Sequence, residues 1–450
     1  MSTTSEPTPG PTRTPFGIHY GWIIVAILAM VQVVGSSISM AAGIMVPPLN
    51  DPEGEFGWSI RLIGAAIATY YLVGALFAPV SGWLGDRYGG RQMMVMAGAL
   101  YATSMVLLGF VSQVWHFFLF FGLMLALTQS MAMVPLMAAV SGWFRRRLGL
   151  AVGILWGAGG IGTAIVAPVI GFLIETVGWQ AAFWGIGIVG GSAILLLTPV
   201  YRNRPADVGV RPYGTLRNEP PQPAKDPWLE AIRLRVFNQH MRRTRAFWNL
   251  PLIHGMGCAG HGIVLVYSIP IAVDRGISLV DAAVILTLIS LVSIPSRIIT
   301  PILAERYGAK QLMTASLLVQ GLTVLMLFWA QDLWVFYVFA ALFGVGFGGE
   351  WTGYLVINRQ YFGNGPMGSC YGWQMSGALL GHAFVTVVAG LVIYATGSFG
   401  SVLVMSIAGS LAGVLLILAL EPTGRMLIPN WEESLPPEAR SPSPSPAAAD

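Results

Sequence analysis

Only Arg297 and Glu350 carry charge well inside the long apolar stretches of this chain. A charge at the centre of a bilayer costs at least about 2.5 kcal/mol on insertion scales, so it is retained where it is paired, wet or functional. Each residue lies nine positions before a basic residue, Arg306 or Arg359. At 1.5 Å per helical residue both sit roughly 13 Å from those markers, near the middle of a hydrocarbon core about 30 Å thick. An arginine at that level offers a planar fork to a substrate carboxylate, while a glutamate balances it in the empty site and takes up a proton. The same two residues also read as a buried structural ion pair that fixes helix packing.

Three histidines add proton-carrying capacity near neutral pH. His254 and His261 are seven residues apart and share a helix face, and His382 lies well inside a later apolar run. Tyr267 and Gln374 supply hydrogen-bond donors; for these two, and for the histidines, packing is the alternative reading. The expected site is therefore Arg297, Tyr267, Gln374 and His382 for substrate, with proton coupling at Glu350 and His261. Cys258 and Cys370 lack metal-ligand spacing and read as buried thiols. The glycines from Gly344 to Gly349 lie within an apolar run, without the strand-to-helix context of a phosphate loop. No metal, cofactor, nucleophile or nucleic-acid partner is expected; the expected partners are a small carboxylate, protons and the lipid bilayer.

The elements that position these residues follow from composition. Of 450 residues 55% are hydrophobic and 10% charged, against about 25% charged in soluble domains, which excludes an ordinary soluble enzyme. Apolar runs long enough to cross a membrane, about 20 residues each, number six between 20 and 201 and six between 248 and 420. The fold expected is an all-α membrane protein of twelve transmembrane helices in two pseudo-symmetric six-helix halves. Residues 1–19 and 421–450 read as disordered cytoplasmic tails, and 202–247 as a cytoplasmic linker. The small-residue rows Gly149, Gly153 and Gly157, and Gly377 and Gly381, permit close helix approach.

The linker holds ten of the 24 Lys and Arg residues, with an amphipathic stretch from Trp228 to Arg245 suited to an anionic membrane surface. Eleven more fall in loops on the same side, leaving Arg61 and Arg275 opposite and Arg297 within a span. This asymmetry predicts cytoplasmic termini in the cell membrane. The halves also repeat: Gly85-Asp86-Arg87-Tyr88-Gly89-Gly90-Arg91 returns 219 residues later as Ala304-Glu305-Arg306-Tyr307-Gly308-Ala309-Lys310.

The stretch from Gly82 to Arg91 resembles the loop signature that follows the second helix of the major facilitator superfamily. The resemblance implies that Asp86, with Arg87 and Arg91 beside it, forms a latch holding the two halves together on the cytoplasmic side by meeting helix N-termini and arginines.

A narrower resemblance is to the monocarboxylate porters and bacterial relatives of the oxalate/formate antiporter. It rests on Tyr20-Gly21-Trp22, Glu55-Phe56-Gly57-Trp58-Ser59, the run from Trp143 to Ala151, Pro270, Asp274, Gly276 and Ser278, the intramembrane Arg297, and Tyr361-Phe362-Gly363. Ser293 replaces the acid those porters carry one turn before the arginine, Ala378 replaces the oxalate carrier's lysine, and Tyr267 replaces a histidine. The reading is a proton-coupled carrier of a small monocarboxylate working by alternating access, since one positive charge suits one carboxylate. An organic-anion exchanger of the oxalate/formate kind is the alternative, and a non-transporting membrane sensor lies further off.

Overall fold

A computed structural model describes residues 17–50, 56–215 and 226–440. The ends of both expected tails, Glu55 and the middle of the linker lie outside the described residues. Among those described, twelve helices are long and apolar enough to cross a membrane. They form because an α-helix satisfies every backbone N–H and C=O internally, the requirement that hydrocarbon imposes.

The first half comprises α1 (Tyr20–Asn50), α2 (Ile60–Tyr88), α3 (Gly90–Leu108), a fourth span built of α4 (Val114–Phe117), a π-helical stretch and α5 (Ala126–Trp143), then α6 (Leu148–Val177) and α7 (Trp179–Leu197). A surface helix follows, α8 (Pro227–Arg242). The second half comprises α9 (Arg245–Asp274), α10 (Leu279–Tyr307), α11 (Ala309–Thr323), a tenth span broken between α12 (Leu333–Glu350) and α13 (Tyr354–Phe362), then α14 (Gly368–Thr396) and α15 (Phe399–Leu418).

The duplication read from the loop signature extends to the turns. Gly89 and Gly308 take φ of 91° and 102° between α2 and α3 and between α10 and α11. Gly178 and Gly397, again 219 residues apart in sequence, take φ of 83° and 65° between α6 and α7 and between α14 and α15. Only glycine enters that region at no steric cost, so each of these tight junctions depends on it.

The halves meet along two helix pairs, α2 with α14 and α6 with α10. Small residues set both distances. A Cβ on Gly149 would lie 2.1 Å from the carbonyl oxygen of Pro301, and one on Gly82 would lie 2.0 Å from that of Gly368. Gly377 serves the same purpose within the second half, where its Cβ would meet the carbonyl of Pro251 at 2.0 Å. Close backbone approach is how helices associate when lipid is as apolar as their side chains.

Two expectations change here. Residues 421–440, expected as a disordered tail, form turns docked on α8. The Trp431 ring takes the Arg233 guanidinium at 5.1 Å and the Phe237 ring at 4.9 Å, while Arg233 Nη2 lies 2.5 Å from Glu432. These aromatic and ionic contacts offset the ordering entropy that composition alone suggests would win. The start of the linker is docked too: the Tyr213 N–H donates to Trp143 O at 2.8 Å, and Arg145 N–H donates to Tyr213 O at 2.8 Å. The amphipathic face of α8 buries Leu234, Phe237 and Met241 against the protein, leaving Trp228, Arg235, Arg242 and Arg243 exposed.

Candidate functional site

Arg297 extends from the middle of α10 toward the seam between halves, where its side chain passes α6 at Gly160. Its guanidinium carbon stands 5.2 Å from the Phe347 ring centre on α12, and its Nε has no hydrogen-bond partner. Among the described residues no carboxylate lies within ion-pair distance of it. The expected pairing with Glu350 is therefore absent. Glu350, three residues beyond Phe347, is placed against α9, where a Cβ on Gly257 would lie 2.7 Å from its Oε1. Equal depth, as read from sequence, does not settle which side chains meet.

Glu350 is fully buried and accepts a hydrogen bond from Tyr354 at 2.9 Å on Oε1. Its Oε2 is unpartnered and lies 3.9 Å from His261 Nδ1, also unpartnered. The Trp351 indole N–H donates to His261 Nε2 at 3.3 Å. Indole is a donor only, so Nε2 accepts and the neutral ring carries its proton on Nδ1, facing Glu350. The carboxyl group and the imidazole are thus one short movement from a shared proton.

Trp351 sits at the break between α12 and α13, with His254 at 5.3 Å, His261 at 5.7 Å and His382 at 5.8 Å, ring centre to ring centre. It also reaches the first half, meeting Trp156 of α6 at 5.4 Å, while His382 meets Tyr71 of α2 at 5.3 Å. The three histidines, Glu350 and Arg297 therefore gather around one tryptophan and one phenylalanine at the seam. Sequence reasoning missed Tyr71, Trp156, Phe347 and Trp351. The available signal was the break itself, a Gly-Gly-Glu-Trp-Thr-Gly run inside an apolar span.

Of two further expected substrate residues, Gln374 borders the cluster through its backbone carbonyl, bonded to His254, and Tyr267 stands farther off. Gln374 is fully buried and exchanges hydrogen bonds with Asn358, at 2.7 Å and 3.0 Å, so its amide is spent joining α13 to α14. Gln374→Ala is expected to cost about 1–3 kcal/mol of stability by orphaning Asn358, with ligand affinity unchanged, as a thermal melt with and without ligand would read. Tyr267 lies outward along α9, its ring 6.3 Å from that of Phe399 and its hydroxyl beside Gly390. Metal-competent groups do converge on Cys258, in the sets Cys258, His261, His382 and His254, Cys258, Glu350. Sequence spacing held no sign of these sets, because three helices supply them. Both His261 Nε2 and His254 Nδ1 are already engaged, the latter with Gln374 O at 3.1 Å.

At the linker side Asp86 accepts from Gly368 N–H at 2.9 Å, Ser369 N–H at 2.7 Å and Ser369 O–H at 3.0 Å, capping α14. Arg87 and Arg91 make no ion pair with it among the described residues; the backbone N–H of Arg91 donates to Asn203 instead. The repeat supplies a second carboxylate cap between the halves that sequence reasoning passed over. Glu305, the counterpart of Asp86, accepts from Leu148 N–H at 3.3 Å and Gly149 N–H at 2.8 Å at the start of α6. Each half thus places one carboxylate on a helix N-terminus of the other, where the dipole favours negative charge by up to about 2 kcal/mol. Asp86→Asn combined with Glu305→Gln is expected to loosen this side, widening spin-label distances across it and slowing transport while ligand binding in detergent stays within about threefold. Equal loss of binding and transport would point to misfolding instead.

A family model described as Major Facilitator Superfamily matches residues 24–311 and 264–447. Among curated proteins, human monocarboxylate transporter 11 is 26% identical over 299 residues, covering 66% of this chain and 59% of that protein, so the chain spans about three fifths of its length. Human monocarboxylate transporter 12 is 24% identical over 422 residues, covering 86% and 78%. The proton:xylose symporter XylE, bound to 6-bromo-6-deoxy-D-glucose, superposes with a TM-score of 0.71 at 16% identity over 93% of this chain and 99% of its own. A variant of the E. coli fucose:proton symporter FucP gives 0.67 at 13% identity, covering 89% and 99%. With its twelve spans in two repeated halves and this match along nearly its whole length, the chain belongs to the major facilitator superfamily of membrane transporters and is not an enzyme.

Proposed function

We propose that the chain is a proton-coupled carrier of a small monocarboxylate in the cell membrane, with linker and termini in the cytoplasm. It works by alternating access around Arg297. The observation that carries this reading is an arginine at the seam of the halves, at mid-span, with no acidic partner within ion-pair distance among the described residues. An unpaired guanidinium at that depth is costly unless an anion visits it. The monocarboxylate transporters it resembles support the anion class, and the excess of basic residues on the linker side supports the orientation.

Coupling runs through Glu350 and His261. A substrate carboxylate arriving at Arg297 adds negative charge beside this carboxyl–imidazole pair and favours an added proton there. Opening of the Asp86 and Glu305 latches then exposes the loaded site to the other side.

The test is uptake into proteoliposomes with an imposed pH gradient. Accumulation of a monocarboxylate toward the alkaline side, abolished by a protonophore, is the expected result. Exchange between loaded sides without response to the gradient would instead make the protein an exchanger.

A further inference from the structure

We propose that the carboxylate taken at this site carries a flat aromatic or unsaturated body, a substrate class narrower than small monocarboxylates in general. The inference rests on the monocarboxylate reading above and is tested separately from it.

Phe347 holds one face of the Arg297 guanidinium at 5.2 Å. A ring beneath the guanidinium stabilises the cation without using its N–H groups, which remain in the plane for a carboxylate. From Phe347 rings continue across the seam rather than hydroxyls or amides. His382 packs on Tyr71 at 5.3 Å with planes 69° apart, and Trp351 packs on Trp156 at 5.4 Å and 66°. In both contacts one partner comes from each half, so these surfaces face the path between the halves.

Tyr71, Trp351, His382 and Arg297 are all partly exposed, although they lie deep in the bundle. Part of the surface of Tyr71, Trp351 and His382 stays uncovered in these near-perpendicular contacts. An aromatic body would meet them edge to face, the geometry in which such pairs gain beyond simple burial. A two- or three-carbon hydroxy acid would leave this wall wet and find few neutral polar partners beyond the Tyr71 hydroxyl and the ring nitrogens. A coplanar arylcarboxylate sets its charge in the guanidinium plane and its ring against the wall in a single pose.

The experiment uses the full-length purified carrier and four probes: benzoate, cyclohexanecarboxylate, lactate and benzyl alcohol. Affinities come from ligand-dependent thermal shifts and calorimetry. Benzoate is expected to bind about threefold to tenfold tighter than cyclohexanecarboxylate, which has the same carbon count and charge without the π system. It should bind at least about 30-fold tighter than lactate, from burial of the ring. Benzyl alcohol, lacking the carboxylate, should produce no shift. Trp351→Leu and Trp156→Leu should bring the affinities of benzoate and cyclohexanecarboxylate to within about threefold of each other. The wild-type comparison decides the matter even if a variant fails to fold. Equal affinity for the two cyclic acids, or tighter binding of lactate than benzoate, overturns this inference and leaves the monocarboxylate reading standing. Binding of none of the acids overturns both.

Discussion

Arg297→Lys weakens carboxylate binding by roughly 30-fold or more, although the formal charge is kept. A guanidinium donates two parallel N–H bonds to a carboxylate in one plane; an ammonium supplies one directed contact at a time. Losing a hydrogen bond between charged groups costs about 2 kcal/mol, which is roughly 30-fold in affinity. The site makes the loss sharper. The flat face of Arg297 rests on Phe347, and a compact, strongly hydrated ammonium with a shorter overall reach gives up that contact as well. Arg297→Gln removes the charge and should lower affinity further, by about 100-fold or more on the same scale. Calorimetry on variants whose melting temperatures stay near wild type checks both. Undiminished binding by Arg297→Lys would remove this arginine from the substrate site and return it to a packing role.

Glu350→Gln abolishes accumulation against a gradient while leaving exchange between two substrate-loaded sides. For one proton carried per substrate, a gradient of one pH unit sustains about tenfold accumulation, equivalent to about 1.4 kcal/mol. Glutamine holds the carboxyl position permanently neutral, so the loaded carrier still reorients. The empty carrier no longer distinguishes the acid side from the alkaline side. The geometry permits this substitution, because the Tyr354 hydroxyl donates to Oε1 and glutamine offers an oxygen in its place. His261→Gln is the companion. It removes the imidazole 3.9 Å from Oε2 and should slow proton-driven uptake more than exchange. The measurement is accumulation ratio against counterflow rate in the same vesicles. A Glu350→Gln carrier that still concentrates substrate in response to pH excludes Glu350 as the proton carrier and leaves the histidines to be tested.

Arg297 was legible in the sequence because a lone cation in an apolar run is costly wherever the helix packs. Depth along a span was equally legible, since rise per residue is constant. The partner of Arg297 was not, because partnership depends on azimuth, and the azimuth of α12 against α9 and α10 is set by Gly344, Gly348 and Gly257 at their contacts. The amide partner of Gln374 was not legible for a similar reason: Asn358, sixteen residues away, stands opposite it only once α13 and α14 are packed. The pair of carboxylate caps was half legible. The repeat carried both Asp86 and Glu305, but the helix ends they cap lie 283 and 156 residues distant.

Membrane class, twelve spans, duplication and the uneven distribution of basic residues could all be read from the amino-acid order, because each is a property of local composition and spacing. Hydrocarbon leaves a chain so apolar no ready alternative to helices, and two copies of one loop signature mark two copies of one half. Which polar groups face each other emerged only from packing: Glu350 beside His261 and without an ion pair to Arg297, His382 against Tyr71, and Trp351 between three histidines and Trp156. The docking of residues 421–440 onto α8 emerged in the same way. These outcomes turn on helix rotation, on where small residues let backbones touch, and on a break in one span. Each sums many weak contacts between residues far apart in the chain, and no local pattern records that sum.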